Sequence, residues 1–227
     1  MTLAPATAPD DVHGDPAETP GAEARRERRP RPGLVRAALA VVVGTGAIGA
    51  HAGLYGNWLI DDAGITFAYA RSVSEGLGVV LQPGAEPVEG FSNPLWLVVL
   101  TVGRLLGLFD SGALGGVGDY VLFPKAVALV CCAGILAVCH TVTRRVVRRA
   151  WVATLAVGLV LAAVPSFVIW SFSGLENPLY ALLVVGLAAV LAHAALDGRV
   201  LTARVAVAAG ALAAAAALTR PDGLIYA

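Results

Sequence analysis

Asp61 and Asp62 stand side by side just beyond an apolar stretch, Ala37 to Gly56, that contains no Asp, Glu, Lys or Arg. About 20 such residues suffice to cross a bilayer as a helix, so the two acids sit where a span leaves the membrane. A carboxylate held there can take a proton from a hydroxyl. A neighbouring one can orient it, steady a developing positive charge, or help hold a divalent ion such as magnesium or manganese against a phosphate. The expectation is chemistry on a lipid headgroup, with any metal left open.

From Ala63 to Glu75 the spacing of Ile65, Tyr69 and Val73 predicts a short amphipathic helix, and Gly76 supplies its stop. The acids then occupy its N-terminal end, where unpaired N–H groups and the helix dipole favour ionised carboxylates. Capping alone accounts for Asp62, but leaves a second acid beside it unexplained. A literal G-x-G-x-x-G at Gly44, Gly46 and Gly49 suggests a dinucleotide fingerprint, yet it lies inside an uninterrupted apolar span with no soluble βαβ unit after it. Gly49 and Gly53 instead have the spacing of a close helix contact in a membrane.

The elements that must position the acids are membrane helices. Hydrophobic residues make up 57% of the chain and charged ones 14%, and the mean hydropathy is +0.75, outside the usual soluble range. Cys131, Cys132 and Cys139 share one apolar run and read as small packing residues, with neither a disulfide framework nor zinc spacing. Residues 1–33 form a Pro-, Ala- and charge-rich leader, expected to be disordered, ending in an arginine cluster that should keep it cytosolic.

Further apolar runs cover Asn93–Phe109, Val121–Thr143, Trp151–Trp170, Pro178–Leu196 and Leu201–Leu218. If all six runs crossed, the loop carrying Arg144, Arg145, Arg148 and Arg149 would lie outside, against the positive-inside rule. Asn93–Phe109 is the shortest run, carries Arg104 and is flanked by Asp110 and Asp119. It reads as an interfacial or re-entrant helix. The fold expected is therefore all-α, a polytopic membrane bundle of about five spans plus outer-surface interfacial helices. Asp61, Asp62, Glu75, Glu86, Glu89, Glu176 and Asp222 then gather on the outer side, although the rule ignores acids.

Three more motifs fall on that side: "PVEGFSNPLW" from Pro87 to Trp96, "SGLENPLY" from Ser173 to Tyr180 and "LTRPDG" from Leu218 to Gly223. Together with "IDDAGITFAYARSVSEGLG", they resemble GT-C glycosyltransferases that use polyprenyl-phosphate sugars, and more closely the actinobacterial cell-wall arabinofuranosyltransferases. The resemblance runs from the first span to the end of the chain, so residues 34–227 are expected to be the amino-terminal part of such a transmembrane domain, with residues 57–120 as its first outer loop.

The resemblance implies transfer of a sugar, arabinofuranose in the nearest relatives, from a polyprenyl-phosphate donor to a cell-envelope glycan hydroxyl outside the cell membrane. It implies Asp61 as general base, with Asp62 beside it. Glu176 matches the acidic position at the outer end of the next helix pair, and Gly64 replaces the Phe of the family's common Asp-Asp-Ala-Phe. The other expected substrate contacts are Glu89, Asn93, Asp222, Arg220 and Arg71. Arg220, Arg71, Arg104 and Lys125 are the cations able to meet a donor phosphate, with snorkelling an equal reading for Arg71 and Arg104. A phosphate leaves without protonation, so one carboxylate can serve where hydrolases need two. Trp58, Phe91, Trp96, Trp170 and Tyr180 read mostly as interfacial aromatics, Phe91 and Trp96 also as site-lining. Two alternatives remain: a lipid or solute transporter, and a non-catalytic membrane subunit.

Overall fold

The computed structural model describes residues 32–88 and 90–226; residues 1–31 of the expected leader and Glu89 lie outside the described residues, while the leader's last two residues, Pro32 and Gly33, already belong to the first helix. The described residues are mostly helical: α1 (Pro32–Gly53), α2 (Asp61–Ser74), α3 (Pro94–Leu105), α4 (Asp119–Val146), α5 (Ala150–Ala163), α6 (Pro165–Ser171), α7 (Asn177–Leu196) and α8 (Ala203–Thr219), followed by a 3-10 turn at Pro221–Tyr226. A two-stranded hairpin, β1 (Ala113–Leu114) with β2 (Val117–Gly118), precedes α4. Its turn is Gly115-Gly116, both at positive φ, the glycine pair that tight hairpins favour.

Helices α1, α4 and α7 are long and apolar enough to cross a membrane, and the bent pair α5–α6 makes a fourth if counted as one span. Helix α8, at 17 residues, is shorter. The run from Trp151 to Trp170, expected to be continuous, is divided by a bend of 83° between α5 and α6. Pro165 is the cause. It has no N–H for the ladder and its ring collides with the preceding turn, while Val164 before it takes an extended conformation (φ −96°, ψ 103°). His51 of α1 completes the bend, its Nδ1 donating to the Ala162 carbonyl at 2.6 Å, and Tyr55 Oη lies 3.3 Å from His51 Nε2.

Helices α1 and α5 run side by side in the same direction, and their contact is made by glycine. A Cβ built on Gly158 would come within 2.7 Å of the Gly44 Cα, and one on Gly44 within 3.1 Å of the Gly158 Cα. The glycine pattern inside α1 is thus a packing device, as its context suggested. The residue at the contact is Gly44, with Gly49 close to Leu129; Gly53 faces open space, contrary to the expectation of a contact there.

The bundle has two chemically distinct ends. At one, the start of α1, the end of α4 and the start of α5 meet around a cleft lined by Gly33, His140, Arg144, Arg148 and Ala150, and Arg145 pairs with Asp197 at 3.3 Å. At the other, Lys125 donates to the Gly56 carbonyl, Ile60 N–H to Ser173 O at 3.0 Å and Arg220 to Asn177. Helices α2 and α3 pack together over this second end, around Phe67, Tyr69, Trp96, Leu100 and Phe109. At 12 residues, α3 is about 18 Å long, well short of a bilayer's hydrocarbon core.

Candidate functional site

Asp61 and Asp62 are the first two residues of α2, behind the cap residue Ile60. Both are exposed, and among the described residues neither side chain has a hydrogen-bond or ion-pair partner. Successive residues of a helix turn by about 100°, so the two carboxylates leave the axis on different flanks. Asp61 leans to the side of Gly64 and Ala68. Asp62 leans to the side of Thr66 and Tyr69. The buried face of α2 is Ala63, Thr66, Phe67, Tyr69, Ala70 and Ser72. The apolar stripe expected through Ile65 is therefore rotated, leaving Ile65 44% exposed, because Phe67 and Ala70 are the residues that meet Trp96 and Phe109.

Beneath the Asp62 flank lies a continuous polar chain. Thr66 Oγ1 donates to Asn93 Oδ1 at 3.3 Å, and Asn93 Nδ2 donates to Glu176 Oε2 at 2.8 Å. Arg220 Nη1 lies 3.5 Å from Glu176 Oε1 and donates to Asn177 Oδ1 at 2.6 Å; its Nη2 reaches Asp222 Oδ2 at 3.3 Å. Asn93 and Glu176 are buried, where an unpaired polar group is costly. All four motifs noted in the sequence contribute to this one network.

Local sequence explains how each piece is delivered. Pro94 starts α3 and leaves Asn93 as its cap residue. Pro221 ends α8 and forces Arg220 into an extended conformation (φ −150°, ψ 145°), which turns its side chain toward the start of α7. Gly174 sits at φ +92°, with Ala63 Cβ 3.0 Å from where a side chain would begin; its carbonyl accepts the Trp96 indole N–H at 3.2 Å. Gly223 folds directly onto α8, where a Cβ would meet the Ala216 backbone at 2.3 Å. Trp96, 1% exposed, is thus a core residue and does not line an opening. Phe91 does, in an open cleft of about 820 Å³ with Gly90, Ser92, Pro94, Ala217 and Pro221.

Arg71 belongs to a second group near the far end of α2. Its Nε donates to Asp110 Oδ2 at 2.6 Å; Arg104 also bonds Asp110, at 3.0 Å, and reaches Glu75 at 2.6 Å. The Arg71 pKa is raised, first by the Asp110 hydrogen bond. Asp110 holds the left-handed φ of 49°, a conformation that Asp tolerates better than most side chains. Both Arg71 and Arg220, expected to meet a phosphate, are thus already ion-paired, and so is Arg104.

Among the described residues, no three His, Cys, Asp or Glu side chains gather as a metal site. Asp61 and Asp62 start from different flanks of the helix, and no step below depends on a metal ion. The sequence analysis noted Arg104 and the flanking Asp110 but did not foresee that Arg71, Asp110, Arg104 and Glu75 would join in one group. Compared with known proteins, the chain matches no family model, no curated protein and no solved structure.

Proposed function

We propose that the protein is a membrane glycosyltransferase of GT-C type, with about five spans, that moves a sugar from a polyprenyl-phosphate donor to a cell-envelope glycan hydroxyl on the outer side of the cell membrane. Arabinofuranose is the sugar that the motif resemblance favours. Asp61 acts as the base that takes the acceptor proton, and the phosphate departs with the bonding electrons of the anomeric carbon–oxygen bond. Glu176, Asn93 and Arg220 hold the loops around it.

The observation that carries this reading is the convergence of four separate motifs on one network, Thr66–Asn93–Glu176–Arg220, buried except at Arg220, at the end of the bundle where α2 begins with two carboxylates unpaired among the described residues. Ionisable groups gathered at membrane depth are functional by default. A transporter reading draws on the broken pair α5–α6, since discontinuous helices line transport sites, but His51 already occupies the carbonyl at that break.

The test is sugar transfer in membranes carrying the protein, supplied with polyprenyl-phosphate arabinofuranose and a synthetic arabinan acceptor. Product that disappears with Asp61→Asn is expected. Uptake of a solute into vesicles with no transfer product would replace this reading with transport.

A further inference from the structure

The Asp61 flank of α2 borders a cavity of about 310 Å³ lined by Gly64, Phe67, Ala68, Arg71, Asp110 and Tyr120. Ligand pockets commonly span about 300–1,000 Å³, so this one admits a single small ring and little more. Its walls are of two kinds. Phe67 is fixed edge-on against Phe109, with ring centroids 5.0 Å apart at 79°. Tyr120 is held against the bare backbone of Gly118, where a Cβ would meet the tyrosine ring at 2.3 Å.

The same cavity is also lined by the Arg71–Asp110 pair, backed by Arg104 and Glu75. Two guanidinium groups and two carboxylates compensate each other, so the wall is rich in fixed donors and acceptors but carries no net charge. An anion gains little there. A neutral polyhydroxylated ring gains hydrogen bonds from the ion pair and apolar contact from the aromatic rings.

Gly64 opens this space. No atom lies within 4 Å of where its Cβ would be, and a helical glycine costs roughly 1 kcal/mol relative to alanine. Packing does not require that cost, whereas a large side chain at this position would occupy the cavity mouth.

We propose that this cavity seats one monosaccharide ring, that Asp61 rather than Asp62 is the acid on its side, and that the bare Gly64 sets the size of ring admitted. The assignment rests on the glycosyl-transfer reading and specifies where in that site the sugar lies.

Saturation-transfer NMR on the full chain in lipid nanodiscs tests it, with methyl arabinofuranoside and methyl glucopyranoside as probes and inorganic phosphate as competitor. Wild-type protein should transfer saturation to at least one glycoside. Gly64→Leu should weaken that binding at least tenfold with thermal stability unchanged or raised, and Tyr120→Ala, at a half-exposed position, should weaken it several-fold should the first variant fold poorly. The assignment is overturned if neither glycoside binds wild-type protein, if both variants bind like wild type, or if phosphate displaces the sugar. Binding needs no turnover, so the two readings part cleanly. Glycoside binding sensitive to Gly64 without any transfer product removes the enzyme reading and leaves the cavity. Transfer with an unchanged KM in both variants removes the cavity and leaves the enzyme.

Discussion

Asn93 gives its side-chain amide to Glu176 across 2.8 Å, joining segments 83 residues apart. That single bond ties the loop before α3 to the cap of α7, and Arg220 adds the end of α8 from the other side of the same carboxylate.

Removing the shared acceptor should therefore be felt as lost stability. Glu176→Ala leaves the Asn93 amide and Arg220 without it and should cost about 2 kcal/mol, the scale of hydrogen bonds to a charged group, discounted because Arg220 is one-third exposed. Glu176→Gln, which keeps an acceptor for Asn93, should cost less than half of that. Thermal unfolding in detergent reads the difference; equal midpoints for wild type and Glu176→Ala would show that the network holds nothing together.

Asp61 and Asp62 should separate in kinetics. Asp61→Asn should lower turnover by about 10²–10⁴-fold, the usual worth of a general base, while donor binding stays within a few-fold. Asp62→Asn, on the other flank, should lower turnover much less. Rates measured with saturating lipid-linked donor decide between them, and the opposite ranking would move the base to Asp62.

The α1–α5 contact should tolerate no side chain. Gly158→Leu must push apart two backbones already at van der Waals range and should destabilise by about 1–3 kcal/mol, as overpacking does. Gly53→Ala, in open space, should be neutral or slightly stabilising. Midpoints of chemical unfolding for the two variants provide the comparison.

Orientation can be read by labelling. In a background lacking Cys131, Cys132 and Cys139, a cysteine placed at the exposed Gln82 should react with an impermeant thiol reagent on intact cells. One placed at the exposed Arg148 should react only after the cells are opened. Reversed labelling would put the acids on the cytosolic side.

Acid should loosen the arginine-rich end. Hydrogen bonding from Arg199, with the Arg145 and Arg199 charges adding to it, holds the Asp197 carboxyl below its usual range. A group whose folded pKa is lowered contributes above its unfolded value, near 3.9, and the contribution fades as pH falls through the folded value. Asp197→Asn should thus narrow the gap between stability at pH 7 and at pH 3. The change will be small and should shrink further in high salt, because the pair is solvent-exposed.

Much of this arrangement was legible in local sequence. The acids beginning α2, its stop at Gly76 and the shortness of the helix after Asn93 all follow from spacing, glycine and proline. The break at Pro165 departs from the single span expected between Trp151 and Trp170, although a proline inside an apolar run interrupts the hydrogen-bond ladder, and the Gly115-Gly116 hairpin was not anticipated either. The rotation of the α2 buried face was not legible, because Phe67 and Ala70 are chosen by what Trp96 and Phe109 offer them. Nor could local spacing show that Arg71 would be bonded to Asp110, or that Asn93, Glu176 and Arg220 would touch. Those pairs lie 39, 83 and 44 residues apart, and only the packing of α2 and α3 onto the bundle's end brings them together.

The bend at Pro165 has a consequence for the surrounding lipid. Helix α5, at 14 residues, spans about 21 Å, against a hydrocarbon thickness of roughly 30 Å. On that side of the bundle the acyl chains must shorten or α6 must lie flat among them, at the same end of the molecule where α2 begins with two carboxylates that have no partner among the described residues.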